Sequence, residues 1–457
     1  VQTLVRGGTL VTCDDLDRVV SGDLLVGGGA IVAVGKDVAQ QMRAPLRVVD
    51  ARGCAVIPGF VQAHVHLCQV LFRGMADDMP LLEWLKTRIW PLEAAHDERS
   101  LSASADLGLA EMIAAGTTTI LDMGTVHGHD AVMEACVRSG IRAISGKTMM
   151  DVGDGVPAKL RETTRRSLDE SERLAKTWGG ASGASPASAA SAASAKGEGR
   201  VGYAYAPRFI LSCSEPLVRG AVERAKADGS LVHTHAAEHP GEREAVRQAL
   251  GDDDVAVLRR WGVAGPKAIL AHGVQLTDDE ARVLARDGTR VVHCPSANLK
   301  LGSGIARVAE LDALGVKLAL GADGAPCNNN LDPWVELRHA ALLAKVRTGV
   351  TSLPAKRAFR LATIDGARAL SLGDVTGSLE AGKRADFAVV NLGDLHAEPG
   401  GDVFSRLVYA CTSRDVRHVF VDGVEMVRNG GLTRFDREEV VATARAQTKK
   451  VWARARV

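Results

Sequence analysis

The chain has 457 residues, 46% of them hydrophobic, and 56 basic against 55 acidic side chains leave a formal net charge of +1. That length exceeds the needs of one small core and points to a large domain with a smaller one beside it. No block of like charge exceeds a few residues and no apolar run reaches the ~18 residues of a membrane span, so neither nucleic acid nor a membrane is expected as a partner.

Residues 1 to about 55 read as short strands and tight turns, at 3–8, 22–29 and 30–35. Similar grammar returns at 385–390 and 416–423. Both ends therefore predict one small β-sandwich domain, 1–55 with 370–435, followed by a charged helix at 436–457. The middle, 56–369, alternates strand and helix patterns. Candidate strands fall at 56–61, 117–121, 141–146, 201–205, 231–234, 268–271, 290–292 and 317–321, with helices between, such as 101–115, 215–227 and 278–286. Eight such units predict an α/β fold, a (β/α)8 TIM-type barrel. Residues 179–199 are nearly all Gly, Ala and Ser and read as a flexible surface insertion. The N-terminal residues lack a signal-peptide pattern, and the eight cysteines are scattered with no Cys-x-x-Cys pair. Both point to reduced thiols and a cytoplasmic location.

The predicted strand ends are chemically loaded. In order they carry His64 and His66, Asp122, Lys147, Arg208 with Phe209, His233 with His235 and then Glu238, His272, His293, and Asp323. Barrel enzymes gather their chemistry at this face. His64-x-His66 puts two imidazoles on one side of an extended segment. A lone histidine is more often structural than a ligand, but five at successive strand ends (64, 66, 235, 272, 293) reverse that balance. His64, His66, His235 and Asp323 suit one divalent ion, Zn2+ first, with Fe2+ or Mn2+ as alternatives. An open position would hold a water acidified by the metal. His233 lies a layer deeper than His235. His272 either bonds that water or is a fifth ligand. Glu238 is a proton shuttle or a solvated loop glutamate. Asp122 is either a partner that supports a metal ligand or, the preferred reading, a loop residue.

Several segments resemble the amidohydrolase superfamily and, within it, the aminohydrolase (deaminase) branch. They are Pro58-Gly59-Phe60-Val61-Gln62-Ala63-His64-Val65-His66, Leu81-Leu82-Glu83-Trp84-Leu85, His235-Ala236-Ala237-Glu238, His293-Cys294-Pro295-Ser296-Ala297-Asn298-Leu299-Lys300-Leu301, Gly321-Ala322-Asp323-Gly324, and 377–386. The likeness covers nearly the whole chain and is strongest to 5'-deoxyadenosine and methylthioadenosine/S-adenosylhomocysteine deaminases. It implies one metal, usually zinc or iron, on His64, His66, His235 and Asp323. It implies that Glu238 protonates a ring nitrogen, His272 orients the attacking hydroxide and Asp323 takes its proton. Glu93 would hold ribose hydroxyls, Trp84 would wall the pocket and His293 would contact the heterocycle. Two positions depart from that branch: Arg208 stands where it has a histidine, and Lys147 where it has an arginine. Gln69, Arg208 and Phe209 instead resemble guanine deaminase, whose glutamine and arginine bind the base edge and whose phenylalanine stacks on it.

The expected activity is therefore hydrolytic deamination of an amino-heterocycle, a 5'-modified adenosine in the first place. Guanine, 8-oxoguanine or pterin deamination is the alternative, and s-triazine hydrolysis a further one. A binuclear hydrolase would need a bridging lysine near the fourth strand, and 201–207 has none. A non-catalytic scaffold need not keep four ligands and Glu238. Homo-oligomers are common among barrels of this kind and one is expected here.

Overall fold

The computed structural model describes residues 2–36, 38–43, 46–179 and 199–456. The Gly/Ala/Ser segment falls almost wholly outside the described residues. The chain opens with β1 (Gln2–Val11), β2 (Val19–Gly27), β3 (Ala30–Gly35), β4 (Leu46–Asp50) and β5 (Cys54–Pro58). There follow β6 (Phe60–Val65), β7 (Thr117–Met123), β8 (Arg142–Gly146), the two-residue β9 (Thr148–Met149), β10 (Val201–Pro207), β11 (Leu231–Ala236), β12 (Ala268–His272), β13 (Arg290–His293) and β14 (Lys317–Leu320). Last come β15 (Phe387–Asn391), β16 (Val416–Val421), β17 (Val424–Arg428), β18 (Gly431–Leu432) and a helix, Arg437–Ala455.

Eight strands pair in the order β6-β7-β8-β10-β11-β12-β13-β14, all parallel. A bridge between Val65 and Asp323 closes the ring, and the Asp323 N–H donates to His64 O at 3.0 Å. Neighbouring residues on each strand face opposite sides, as the period of two requires. Leu121, Ile144, Ala204, Leu231, Ile269, Val292 and Ala319 share one buried cluster. Their neighbours Ile120, Ala143, Tyr203, Val232, Ala268, Val291 and Leu318 join the helices in another. Two of those helices begin on capping boxes, Glu98–Ala114 at Asp97 and Asp278–Asp287 at Thr277.

The first barrel strand differs from expectation. Residues 56–61 do not form one strand. Cys54–Pro58 pairs with β1 and β15, and the barrel strand begins at Phe60. Gly59 is the joint: a Cβ there would lie 2.1 Å from Thr118 Cγ2. The chain thus passes from one sheet into the other through a position only glycine fits.

The short β9 pairs with β10, and the other strands form a single mixed sheet, β18-β17-β16-β15-β5-β1-β2-β3, with β4 on β1. Both chain ends build it. Its core includes Leu10, Leu24, Val56, Phe387 and Phe420, the last two stacked at 4.6 Å. The C-terminal helix packs Ala444 and Val451 against Leu71 and Leu92, and so braces the segment after β6. No helix among the described residues is long and apolar enough to cross a membrane.

Candidate active site

Five side chains converge where β6, β11, β12 and β14 end. His64 Nε2 and His66 Nε2 lie 3.2 and 3.3 Å from Asp323 Oδ1, and His66 Nε2 lies 3.2 Å from His235 Nε2. Donor atoms of His64, His235, His272 and Asp323 all fall within 4.8 Å of one another. His272 and Asp323 adopt φ of +78° and +63°, a left-handed backbone that non-glycine residues rarely take. Such strain collects at functional sites.

Each ring is fixed through its other nitrogen. His66 Nδ1–H donates to Met123 O and His235 Nδ1–H to Arg208 O, both at 2.7 Å. His272 Nδ1 lies 2.9 Å from Asn298 Oδ1, and His64 Nδ1 lies 2.9 Å from His233 Nε2. A carbonyl can only accept, so the protons of His66 and His235 sit on Nδ1. Burial pushes His66 down to about 3 and holds His64, His235 and His272 below the ordinary imidazole range. The His66 and His235 rings therefore turn Nε2 lone pairs toward each other, and His66 also toward the Asp323 carboxylate. That arrangement is repulsive without a cation among them. Atoms bound at 2.0–2.1 Å to a tetrahedral ion lie about 3.3 Å apart, which matches the spacing of these donors. The donor set fits a divalent metal.

Beside it stands Glu238. Its Oε2 lies 3.4 Å from His272 Nε2, and its Oε1 is buried with no hydrogen-bond partner among the described residues. Burial, reinforced by the Asp323 charge, pushes this carboxyl well above the usual range. Asp323 is held well below it: burial opposes ionisation, but a hydrogen bond from His64, 3.2 Å away, leads the effects that outweigh it. Two carboxyls on either side of His272 Nε2, at 3.4 and 3.9 Å, are thus pushed in opposite directions, the pattern of an acid and a base.

A narrow cavity of about 30 Å³ opens onto these groups. Gln69, Trp84, Arg208 and Phe209 line it, together with Leu81, Leu85 and Leu301. Trp84 Nε1 and Gln69 Oε1 are buried and unpartnered among the described residues, a donor and an acceptor left for a ligand. The space holds little more than a water, so entry of a heterocycle requires the lining side chains to move apart.

Three expectations need correction. Lys147 does not line the cavity: its ammonium is buried against the Glu162 carboxylate and lies 3.2 Å from Thr148 O. His293 does not line it either; its ring is buried, held down to about 3, with Nδ1 unpartnered among the described residues. Asp122 is no loop residue but the buried penultimate position of β7, accepting from Leu67 N at 2.8 Å. Glu93 stands behind the cavity wall, with Arg208 on both its oxygens at 2.6 and 3.1 Å and Gln69 Nε2 at 2.8 Å. Asn298 lies within the 293–301 motif, but its role does not show in the sequence, nor do those of the Met123 and Arg208 carbonyls. Backbone acceptors carry no mark in a sequence, and Asn298 meets His272 only because β12 and β13 are neighbours.

A closed parallel barrel, with imidazoles and a carboxylate gathered at its C-terminal strand ends around a metal-sized gap, defines a metal-dependent barrel hydrolase. The chain belongs to the amidohydrolase family, whose model matches residues 55–426. It is 38% identical over 397 residues to a 5-methylthioadenosine/S-adenosylhomocysteine deaminase of Moorella thermoacetica, covering 86% of this chain and 87% of that one. A 5'-deoxyadenosine deaminase of Methanosarcina acetivorans is 34% identical, with 99% of each chain covered. The structure of an adenosine deaminase from Xanthomonas campestris with bound zinc superposes with a TM-score of 0.89 at 31% identity, covering 99% of this chain and 98% of that one. The protein is a hydrolase of carbon–nitrogen bonds that uses a divalent metal.

Proposed function

We propose that this enzyme hydrolytically removes ammonia from an aminopurine compound, a 5'-modified adenosine such as 5'-deoxyadenosine, methylthioadenosine or S-adenosylhomocysteine. The observation that carries the reaction class is Glu238, a proton-bearing carboxyl with one free oxygen beside the converging imidazoles. Relatives named for these nucleosides support the substrate. His64, His66, His235 and Asp323 would hold the ion, zinc in this reading. When bound, it supplies a water acidic enough to attack at neutral pH. His272, fixed by Asn298, orients that water, and Asp323 takes its proton. Glu238 protonates the ring nitrogen next to the amine-bearing carbon, so charge does not build on the ring. A second proton transfer expels the amine as ammonia and leaves a carbonyl. Water enters and ammonia leaves, with no change of oxidation state.

A second reading, deamination of guanine, 8-oxoguanine or a pterin, is favoured by Glu93. Its oxygens are engaged by Arg208 and Gln69 and so are not free for ribose hydroxyls. Ammonia release from adenosine, its 5'-modified forms, guanine, 8-oxoguanine, pterins and melamine separates the readings. Guanine turning over while every adenosine stays inert would reverse the order. A homo-oligomeric assembly in the cytoplasm is part of the proposal, and light scattering on the purified enzyme checks the assembly.

A further inference from the structure

The end of β7 grips the end of β6 residue for residue. Met123 O accepts His66 Nδ1–H at 2.7 Å, Asp122 Oδ1 accepts Leu67 N–H at 2.8 Å, and Gly124 O accepts the Cys68 thiol at 3.1 Å. Behind this clamp Ser145 Oγ–H donates to Asp122 Oδ2 at 2.5 Å, and His129 Nε2 lies 3.2 Å from Ser145 Oγ. Room for the His129 ring depends on Gly124, where a Cβ would fall 2.3 Å from His129 Cε1. Asp122 and Ser145 are fully buried and His129 is 2% exposed. Asp122 lines no part of the cavity and so cannot touch substrate. A carboxyl withdrawn this far from water is costly unless its bonds are used. Its hydrogen bonds reach the Leu67 amide, next to His66, and the Ser145 hydroxyl.

We infer that Asp122 is a positioning residue for the metal centre. By holding the Leu67 amide while Met123 holds the ring, it aims His66 Nε2 at the point shared with His235 and Asp323. Ser145 satisfies the second oxygen of Asp122, which does not face His66, and His129 lies behind that hydroxyl. The inference rests on His66 being a metal ligand.

Zinc affinity, read by competition with a chromophoric chelator, tests it. Asp122→Ala removes the acceptor, and its zinc affinity is expected to fall about tenfold or more, as with other partners that orient metal-bound histidines. Asp122→Asn keeps an acceptor for Leu67 and can donate to Ser145, so its affinity is expected to stay within about threefold of wild type. Ser145→Ala leaves the Leu67 bond and is expected to cost stability with affinity also within about threefold. Zinc binding by Asp122→Ala within twofold of wild type overturns the inference, as does an equal loss in Ser145→Ala, which would mark general packing. Should Asp122→Ala not fold, Asp122→Asn decides: retention supports the role and tenfold loss overturns it. His66→Ala separates the two levels. If it keeps full zinc affinity, the ligand reading fails. If it loses zinc while Asp122→Ala does not, only the positioning role fails.

Discussion

Glu238 and Lys147 show what a single residue reveals before folding. Glu238 is legible because it follows His235 by three positions, in the loop just after the strand that supplies this metal ligand. Nothing near Lys147 announces Glu162, fifteen positions on, as its buried partner. Gly146 sits so close to the next strand that a Cβ would meet Ala204 O at 2.3 Å. β8 ends there, and the next side chain turns away from the cavity. Glu238 also yields the sharpest prediction at this scale. Glu238→Gln removes a proton donor without removing a ligand, so zinc content and folding should match wild type while kcat falls by about 10²–10⁴. A variant turning over at wild-type rate would remove Glu238 from the mechanism. Arg208→Lys keeps the charge but loses the fork that engages both Glu93 oxygens. Loss of that two-point contact behind the cavity wall is expected to raise KM by about tenfold or more, roughly 1.4 kcal/mol, with zinc content unchanged. An unchanged KM would exclude the pair from substrate binding.

At the level of elements, strand positions were readable from alternation, but seams were not. The seam between β14 and β6 is made at Gly321, whose Cβ would lie 2.6 Å from His64 O and 2.8 Å from His64 N. Gly321→Ala should therefore push apart the two strands that carry His64 and Asp323. Stability should fall by about 1–3 kcal/mol, as for other overpacked sites, and zinc affinity with it; a thermal melt and a zinc titration at wild-type values would show that the seam yields. Glu336, on the helix Pro333–Thr348, ties two site-bearing segments. It accepts from Ser296 N at 3.1 Å, near Asn298, and from Asn328 Nδ2 at 2.9 Å, which also reaches Ala322 O. Burial pushes its carboxyl up to about 7. Folded above unfolded means the native state keeps a proton that the unfolded chain releases. Its stabilising share is full below an unfolded value of about 4.3 and is lost as pH rises through the folded one. Glu336→Gln cannot titrate, so wild-type minus variant stability should fall by roughly 3 kcal/mol between about pH 4 and 8. A flat difference in urea titrations across that range would remove Glu336 as the group responsible.

For the whole molecule, the eight-fold alternation announced the barrel, and the β-rich ends announced a sheet built from both termini. What neither could announce is how the two bodies hold together. That depends on pairs brought close only by the completed fold, such as β5 with β15, over 300 residues apart. The same holds for the polar joint. Arg142, at the start of β8, donates from Nε to Asp386 Oδ2 at 2.8 Å and from Nη2 to Asp422 Oδ1 at 2.5 Å. Asp422 closes β16 and Asp386 precedes β15, and Asp386 O also accepts from Gly59 N at the passage between the sheets. Arg142 and Asp386 are buried at 4% and 0% side-chain exposure, so neither is screened by water. Removing one partner of such a pair strands a charge and typically costs about 3–5 kcal/mol, whereas a neutral replacement on both sides costs far less. Arg142→Leu is accordingly expected to lower unfolding free energy by about 3–5 kcal/mol, with zinc affinity of the folded fraction unchanged, because the joint lies at the opposite end of the strand from the metal site. Adding Asp386→Asn should recover about 1 kcal/mol or more, since it removes the stranded charge. A cost below about 1 kcal/mol for the single variant, or no recovery in the double, would mean that apolar packing alone joins the sheets.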